Sequence, residues 1–195
     1  MDGGALLAGR IGPNAVTRLA EALGPEPARA VFGAAGLLHR LADPPGRMVP
    51  EAEVTALHRA ARSLLGEAGS EAASREAGRL TARYLLAHRI PRPLQWILKL
   101  LPAGLSARVL IRAIGRHAWT FAGSGSFRAL PGRPMRLEIA HGPIARAAPA
   151  DHPVCAYYAA TFETLFAALV SPRTRVVETT CEAMGAPACV FELRW

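Results

Sequence analysis

All three cysteines of the chain lie in its last 41 residues, gathered around one turn. Cys155 stands alone. Glu178-Thr179-Thr180-Cys181 follows, then the turn-like Met184-Gly185-Ala186-Pro187, then Cys189. Residues alternate on both sides of that turn, the period of a strand, so the segment is expected to fold as a β-hairpin. With Cys181 opposite Cys189, the loop is Met184-Gly185-Ala186 and Gly185 takes the positive φ. Opposed residues on one face of a hairpin have Cβ atoms about 5 Å apart, which lets two thiolates share one metal ion. Cys155 and Glu178 complete four ligands, the number a closed structural zinc site uses. Glu178 and Cys181 differ by three and so face opposite sides of a regular strand; the site requires a bulge or bend between them. The same proximity allows a Cys181–Cys189 disulfide, and buried free thiols are common in cores. Spacing alone leaves these three readings open.

Upstream the pattern is helical and rich in Ala, Leu and Arg. Helices are expected over Pro13–Leu23, Glu26–Leu38, Glu51–Leu65, Glu71–His88, Leu94–Leu101 and Leu105–Gly115, separated by Gly-Pro, Pro-Pro-Gly and Pro-rich breaks. Near residue 116 the pattern changes. His117, Trp119 and Phe121 alternate with Ala118, Thr120 and Ala122, the mark of a strand. Ser126–Leu130 and Met135–His141 read as further strands. Val154–Val170 reads as a helix, with Asp151 as cap and Pro153 in its first turn. Arg173–Cys181 and Ala188–Trp195 form the terminal hairpin. Strands, a helix, then strands imply an α+β fold: a helical N-terminal half packed on an antiparallel sheet, with a zinc-pinned C-terminal hairpin. We divide the chain into a helical part, residues 1–110, and an α+β part, residues 111–195, packed as one unit.

The formal net charge is +8, from 23 Lys+Arg against 15 Asp+Glu, and Lys99 is the only lysine. Arginine suits carboxylate ligands, because its planar fork grips them bidentately. The arginines are scattered and no nucleic-acid motif is present, which argues against a nucleic-acid partner. No apolar run has the roughly 18 residues that a membrane span needs, and the start lacks a secretory pattern, so a cytoplasmic protein is expected. A reducing cytosol disfavours the disulfide. The segment Leu94-Gln-Trp96-Ile-Leu-Lys-Leu-Leu101 is apolar, with Arg92 beside it. It reads either as a buried helix or as one that rests on an anionic membrane surface.

Glu178-Thr-Thr-Cys181-Glu-Ala-Met-Gly185-Ala-Pro-Ala-Cys189-Val-Phe191-Glu resembles the signature of the 4-vinyl-reductase-type domain family, in which a cysteine also stands at the start of the preceding helix, as Cys155 does here. Many members have Asp where this chain has Ala186. The resemblance covers about residues 110–195 by motif. It implies zinc held by the matching residues, with a nearby pocket for a small aromatic molecule, as in phenol-sensing relatives, and it is similar to domains that bind tetrapyrroles or lipids. The short, Arg-rich form without ATPase or DNA-binding modules is similar to the branch of the family in bacteriochlorophyll biosynthesis. Two functions are then implied: a non-catalytic carrier of Mg-porphyrin or a related tetrapyrrole, and a divinyl 4-vinyl/8-vinyl reductase. The resemblance also implies pigment-synthesis enzymes such as Mg-chelatase as partners, a place at or near the photosynthetic membrane, and a homodimer through the first helices.

A vinyl reduction needs a hydride or electron source bound by the protein. Gly123-Ser-Gly125-Ser-Phe-Arg lacks the third glycine of a dinucleotide fingerprint. A carrier needs only an apolar cleft, polar anchors and cations for propionates. Candidates for that cleft are Tyr84, Trp96, Trp119 and Phe121, with Arg112 and Arg116 for carboxylates and His117 as a magnesium ligand. The plain alternatives are core aromatics, a hydrogen-bonded histidine and solvated arginines. The cleft is expected between the helical layer and the sheet. His152 competes with Glu178 as a metal ligand, and the resemblance favours Glu178.

Overall fold

In the computed structural model, which describes residues 9–195, prolines set most helix starts. α1 (Asn14–Leu23) follows Pro13, α2 (Pro25–Ala34) has Pro25 in its first turn, and α3 (His39–Ala42) is a single turn. A missing N–H costs nothing in a first turn. A two-residue ribbon, β1 (Arg10–Ile11) with β2 (Val49–Pro50), closes this end and is too short to show as alternation. The two helices expected over 51–88 are one element, α4 (Glu51–His88), broken at Gly66, where φ is 67° and ψ is −175°. Its buried residues Val54, Leu57, Ala61 and Ala73, Ala77, Thr81 keep helical spacing within each half. α5 (Arg92–Leu100) and α6 (Ala103–Arg116) follow Pro91 and Pro102.

The strand expected through His117–Ala122 is helical instead. α6 runs to Arg116 and α7 (Trp119–Ala122) adds one turn, with the Ala122 N–H donating to Ala118 O at 2.8 Å. Six alternating residues suit a helix end as well as a strand, and only a neighbouring strand decides between them. The sheet has β3 (Ser126–Leu130), β4 (Met135–Ala140), β5 (Arg175–Thr180) and β6 (Cys189–Arg194), antiparallel in the order β3-β4-β6-β5. Its edges are β3 and β5, so residues 117–122 add no strand to it.

One face of the sheet is buried by α8 (Ala156–Leu169). Leu137 and Ile139 of β4, Phe191 and Leu193 of β6, and Val176 of β5 are all at most 5% exposed. Phe121, Phe127, Tyr158, Phe162 and Phe191 fill the space beneath α8 with ring centroids 5.5 to 6.2 Å apart, within the range of favourable aromatic pairs. Tyr158 donates its hydroxyl to Phe121 O at 2.8 Å. The opposite side of α8 meets α4. There Thr81 Oγ1 and Tyr157 OH are 2.9 Å apart, and Thr161 Oγ1 donates to Gly78 O at 3.2 Å. α8 is therefore sandwiched, which explains why its sequence is apolar around most of its circumference. The fold is α+β. Asp151 does not cap α8: the helix begins at Ala156, Cys155 holds the cap position, and Asp151 Oδ1 lies 2.8 Å from His152 Nδ1.

Candidate functional site

The register of the terminal hairpin builds a cluster of thiols. Glu178 pairs with Phe191, but two residues later Thr180 pairs with Val190, so one residue of β5 is extra. This bulge is the bend that the sequence requires. It keeps Glu178 on the inner face with Phe191 and brings Cys181 round to that same face. The loop is wider than three residues: Cys181 lies just past the ladder, a 3-10 turn spans Glu182–Met184, and Gly185 closes it at φ 86°. Cys189 sits on β6 opposite Ile139 of β4. Cys155 arrives from above, at the N-terminal end of α8.

Cys155 Sγ lies 3.5 Å from Cys189 Sγ, which lies 3.7 Å from Cys181 Sγ. A disulfide holds its sulfurs about 2.0 Å apart, so the thiols are free. A tetrahedral ion bound at about 2.3 Å to each sulfur sets neighbouring sulfurs about 3.8 Å apart, close to the spacing found. One ligand atom from each of Cys155, Glu178, Cys181 and Cys189 falls within 4.8 Å of the others. Glu178 Oε2 accepts the Cys155 N–H at 2.8 Å, while Oε1 is buried without a donor. A buried carboxylate oxygen with no partner is a rare liability, and a cation among the sulfurs would satisfy it. The residues therefore fit a metal ion. His152, the competing ligand, stays outside, beside Asp151 and 3.4 Å from Glu67.

Electrostatics agree. Burial, then the neighbouring Cys181, pushes the Glu178 carboxyl up to about 8. Hydrogen bonds to Cys181 and Cys189, together with burial, hold the Cys155 thiol well above its ordinary value. Cys181 is lowered because it accepts from both other thiols. The cluster cannot carry four negative charges unaided; a divalent cation would draw off the protons and hold all four donors ionised.

The tetrapyrrole candidates do not converge on one cleft. Phe121 is part of the aromatic packing that fills the expected space between α8 and the sheet. Tyr84, on α4, lies under the Arg18 guanidinium of α1, 4.9 Å from its ring centre. Trp96 is 70% exposed on α5. The structure does bring Arg112, Arg116, His117 and Trp119 to one exposed end of α6 and α7. Arg112 and Arg116 are one turn apart on one helix face. The His117 Nδ1 lies 2.9 Å from Ala113 O. Only a donated Nδ1–H makes that a hydrogen bond, so the neutral ring keeps its Nε2 lone pair free.

Sequence reasoning missed His58 and Arg62. Both line a cavity of about 20 Å³ with Ser70, Ser74 and His152, room for about one water. His58 Nε2 and two nitrogens of Arg62 are buried without protein partners. The signal was present, since His58 stands beside Leu57 on the apolar stripe of α4. Burial, and secondarily the Arg62 charge, pushes His58 down from 6.5 to about 4. Above its ordinary value the ring is neutral in both states. Between about 6.5 and 4 the unfolded chain takes up a proton that the folded chain refuses. Stability is therefore expected to fall as pH drops through that window, by about 3 kcal/mol in all, and level off below it. His58→Gln should flatten this part of the curve, read as the difference between the two proteins' urea midpoints at neutral and at mildly acidic pH.

The profile of the 4-vinyl-reductase-type domain matches residues 135–195, from β4 to the end, and includes all four cluster residues. A Cereibacter sphaeroides protein described as "Bacteriochlorophyll synthase 23 kDa chain" is 46% identical over 197 residues, 99% of this chain and 94% of its own. A Rhodobacter capsulatus protein of the same description is 40% identical over 188 residues, 94% of this chain and 86% of its own. The likeness thus extends through the helical half, well beyond the residues whose motif suggested it. The chain belongs to the 4-vinyl-reductase-type domain family that includes these 23 kDa chains.

Proposed function

We propose that this chain is a Mg-tetrapyrrole-binding accessory protein of bacteriochlorophyll biosynthesis, carrying an intermediate between enzymes rather than transforming it. Support comes from the relatives' description and from one observation at the site: His117 is held by its own helix with Nε2 free. Metal-ligating histidines are fixed in this way, by donating the other ring N–H to a carbonyl. The imidazole is thus set to take the axial position on the magnesium of an Mg-porphyrin. Trp119, two residues on and 45% exposed, offers a ring for the macrocycle. Arg112 and Arg116 offer forks for its propionates. An open groove of about 630 Å³ between α1, α2 and α3 is large enough for a ligand, but its lining has no aromatic side chain and one cation, Arg29. It suits a pigment less well.

The metal centre supports carriage too. Three thiolates and a carboxylate in tetrahedral array suit zinc, and four protein ligands leave no open position for substrate, which makes the ion structural. The reductase reading receives less support: the four-stranded sheet is antiparallel throughout and offers no βαβ unit in which Gly123-Ser-Gly125 would cradle a dinucleotide. A carrier works between the enzymes that make and consume its cargo, Mg-chelatase among them, peripheral to the membrane in which the finished pigment resides.

Titration with Mg-protoporphyrin, followed by its absorption band and by quenching of tryptophan fluorescence, tests this. Micromolar binding is expected, weakened about tenfold or more, ~1.4 kcal/mol, by His117→Ala or Trp119→Ala with metal content unchanged. Failure of the unaltered protein to bind at micromolar concentration rejects the carrier. Equal binding by His117→Ala rejects that ligand.

A further inference from the structure

We propose that the α5–α6 hairpin docks the protein on an anionic lipid bilayer. This goes beyond the pigment reading and does not depend on it. α5 buries only Leu98 of its nine residues. Trp96 is 70% exposed, Ile97 54% and Leu100 86%, and Leu105 and Val109 of α6 extend the apolar surface. Large exposed apolar side chains so close together mark a contact surface. The charges around them are of one sign. Arg92, Lys99, Arg108, Arg112 and Arg116 are exposed, residues 92–116 contain no Asp or Glu, and none of the five forms an ion pair among the described residues. The wider stretch 77–137 is also free of acids. At 100° per residue, Leu105, Arg108, Val109, Arg112 and Arg116 fall on one side of α6.

The charge pattern selects the occupant. A second copy docked face to face would set these cations against one another with no acids to offset them, which opposes association. An anionic bilayer meets both features: headgroups take the arginines and the lysine, each worth about 1 kcal/mol near the surface, and the upper acyl region takes Trp96, Ile97 and Leu100. Tryptophan prefers that boundary. No helix among the described residues is long and apolar enough to cross a membrane, so the contact is one of lying on the surface.

Flotation of the full chain with phosphatidylglycerol–phosphatidylcholine vesicles, against phosphatidylcholine alone, tests the surface without pigment. The protein is expected to float with the anionic vesicles only and to be released by high salt. Trp96→Ser combined with Leu100→Ser should reduce the bound fraction about tenfold or more. Both residues are exposed, so circular dichroism and metal content should stay unchanged. Arg108→Glu should weaken binding without touching the apolar residues. Three results overturn the proposal: no flotation; equal flotation on neutral vesicles; or a dimer in sedimentation that the Trp96→Ser, Leu100→Ser protein loses, which would assign the face to a second copy.

Discussion

Cys181→Ser is expected to remove the metal and, with it, most of the stability of the C-terminal half. A structural zinc contributes on the order of 10 kcal/mol in small domains, comparable to the ~5–15 kcal/mol that hold a typical protein folded. The ion would tie Cys155 on α8 to Glu178 and Cys181 at the end of β5 and to Cys189 on β6, so its loss frees the hairpin from the helix that covers it. A fall in Tm of at least about 10 °C is expected, taking ~2–4 °C per kcal/mol for a chain of this size. The same fall should follow strong chelation of the unaltered protein. If the thiols were inert, the serine would cost only the ~1–3 kcal/mol of a poorly paired buried hydroxyl, and a chelator would do nothing. Metal analysis of protein purified without chelator, read beside the melting curves, separates the two.

The second large effect lies at the crossing of α4 and α8. A Cβ on Gly78 would stand 2.3 Å from Tyr157 O and 3.0 Å from Ala160 Cβ. The oxygen belongs to backbone and cannot rotate away. Gly78→Ala should destabilise even though alanine is intrinsically better in a helix by about 1 kcal/mol, and Gly78→Val should cost at least about 3 kcal/mol. Gly104 of α6 meets nothing within 4 Å of such a Cβ, and Gly104→Ala is expected to raise stability by about 0.5–1 kcal/mol. Opposite signs for two Gly→Ala changes, measured as shifts in the urea midpoint, would show that close approach rather than helix propensity rules at Gly78. Equal signs would contradict that.

The metal cluster is legible in the sequence because its constraints are local. Cys181 and Cys189 flank one turn, and the three-residue step from Glu178 to Cys181 demands a bulge that the β5–β6 register contains. Cys155 and the helices around it depend on packing, yet its place before an apolar run is enough. His117–Ala122 misleads for a physical reason: a six-residue alternation carries too little information to choose between periods of 2 and 3.6, and the choice falls to hydrogen-bond partners. The aromatic residues also mislead. Phe121 is core, while Trp96 and Trp119 reach solvent, because helix orientation decides which side of a short amphipathic segment is covered. α5 shows this most clearly, since its apolar composition suits a buried helix and its fold leaves most of that side open. His58 and Arg62 escape notice because polar residues on an apolar stripe signal a buried site only once the neighbouring elements are known.

The most direct test of the central claim mixes the purified, metal-loaded protein with a divinyl Mg-tetrapyrrole, with and without NADPH, and follows both the pigment spectrum and nicotinamide consumption. A spectral shift on binding, identical in the two samples and with no monovinyl product, is the predicted result. Conversion of divinyl to monovinyl pigment with matching oxidation of NADPH would contradict the carrier and establish the reductase.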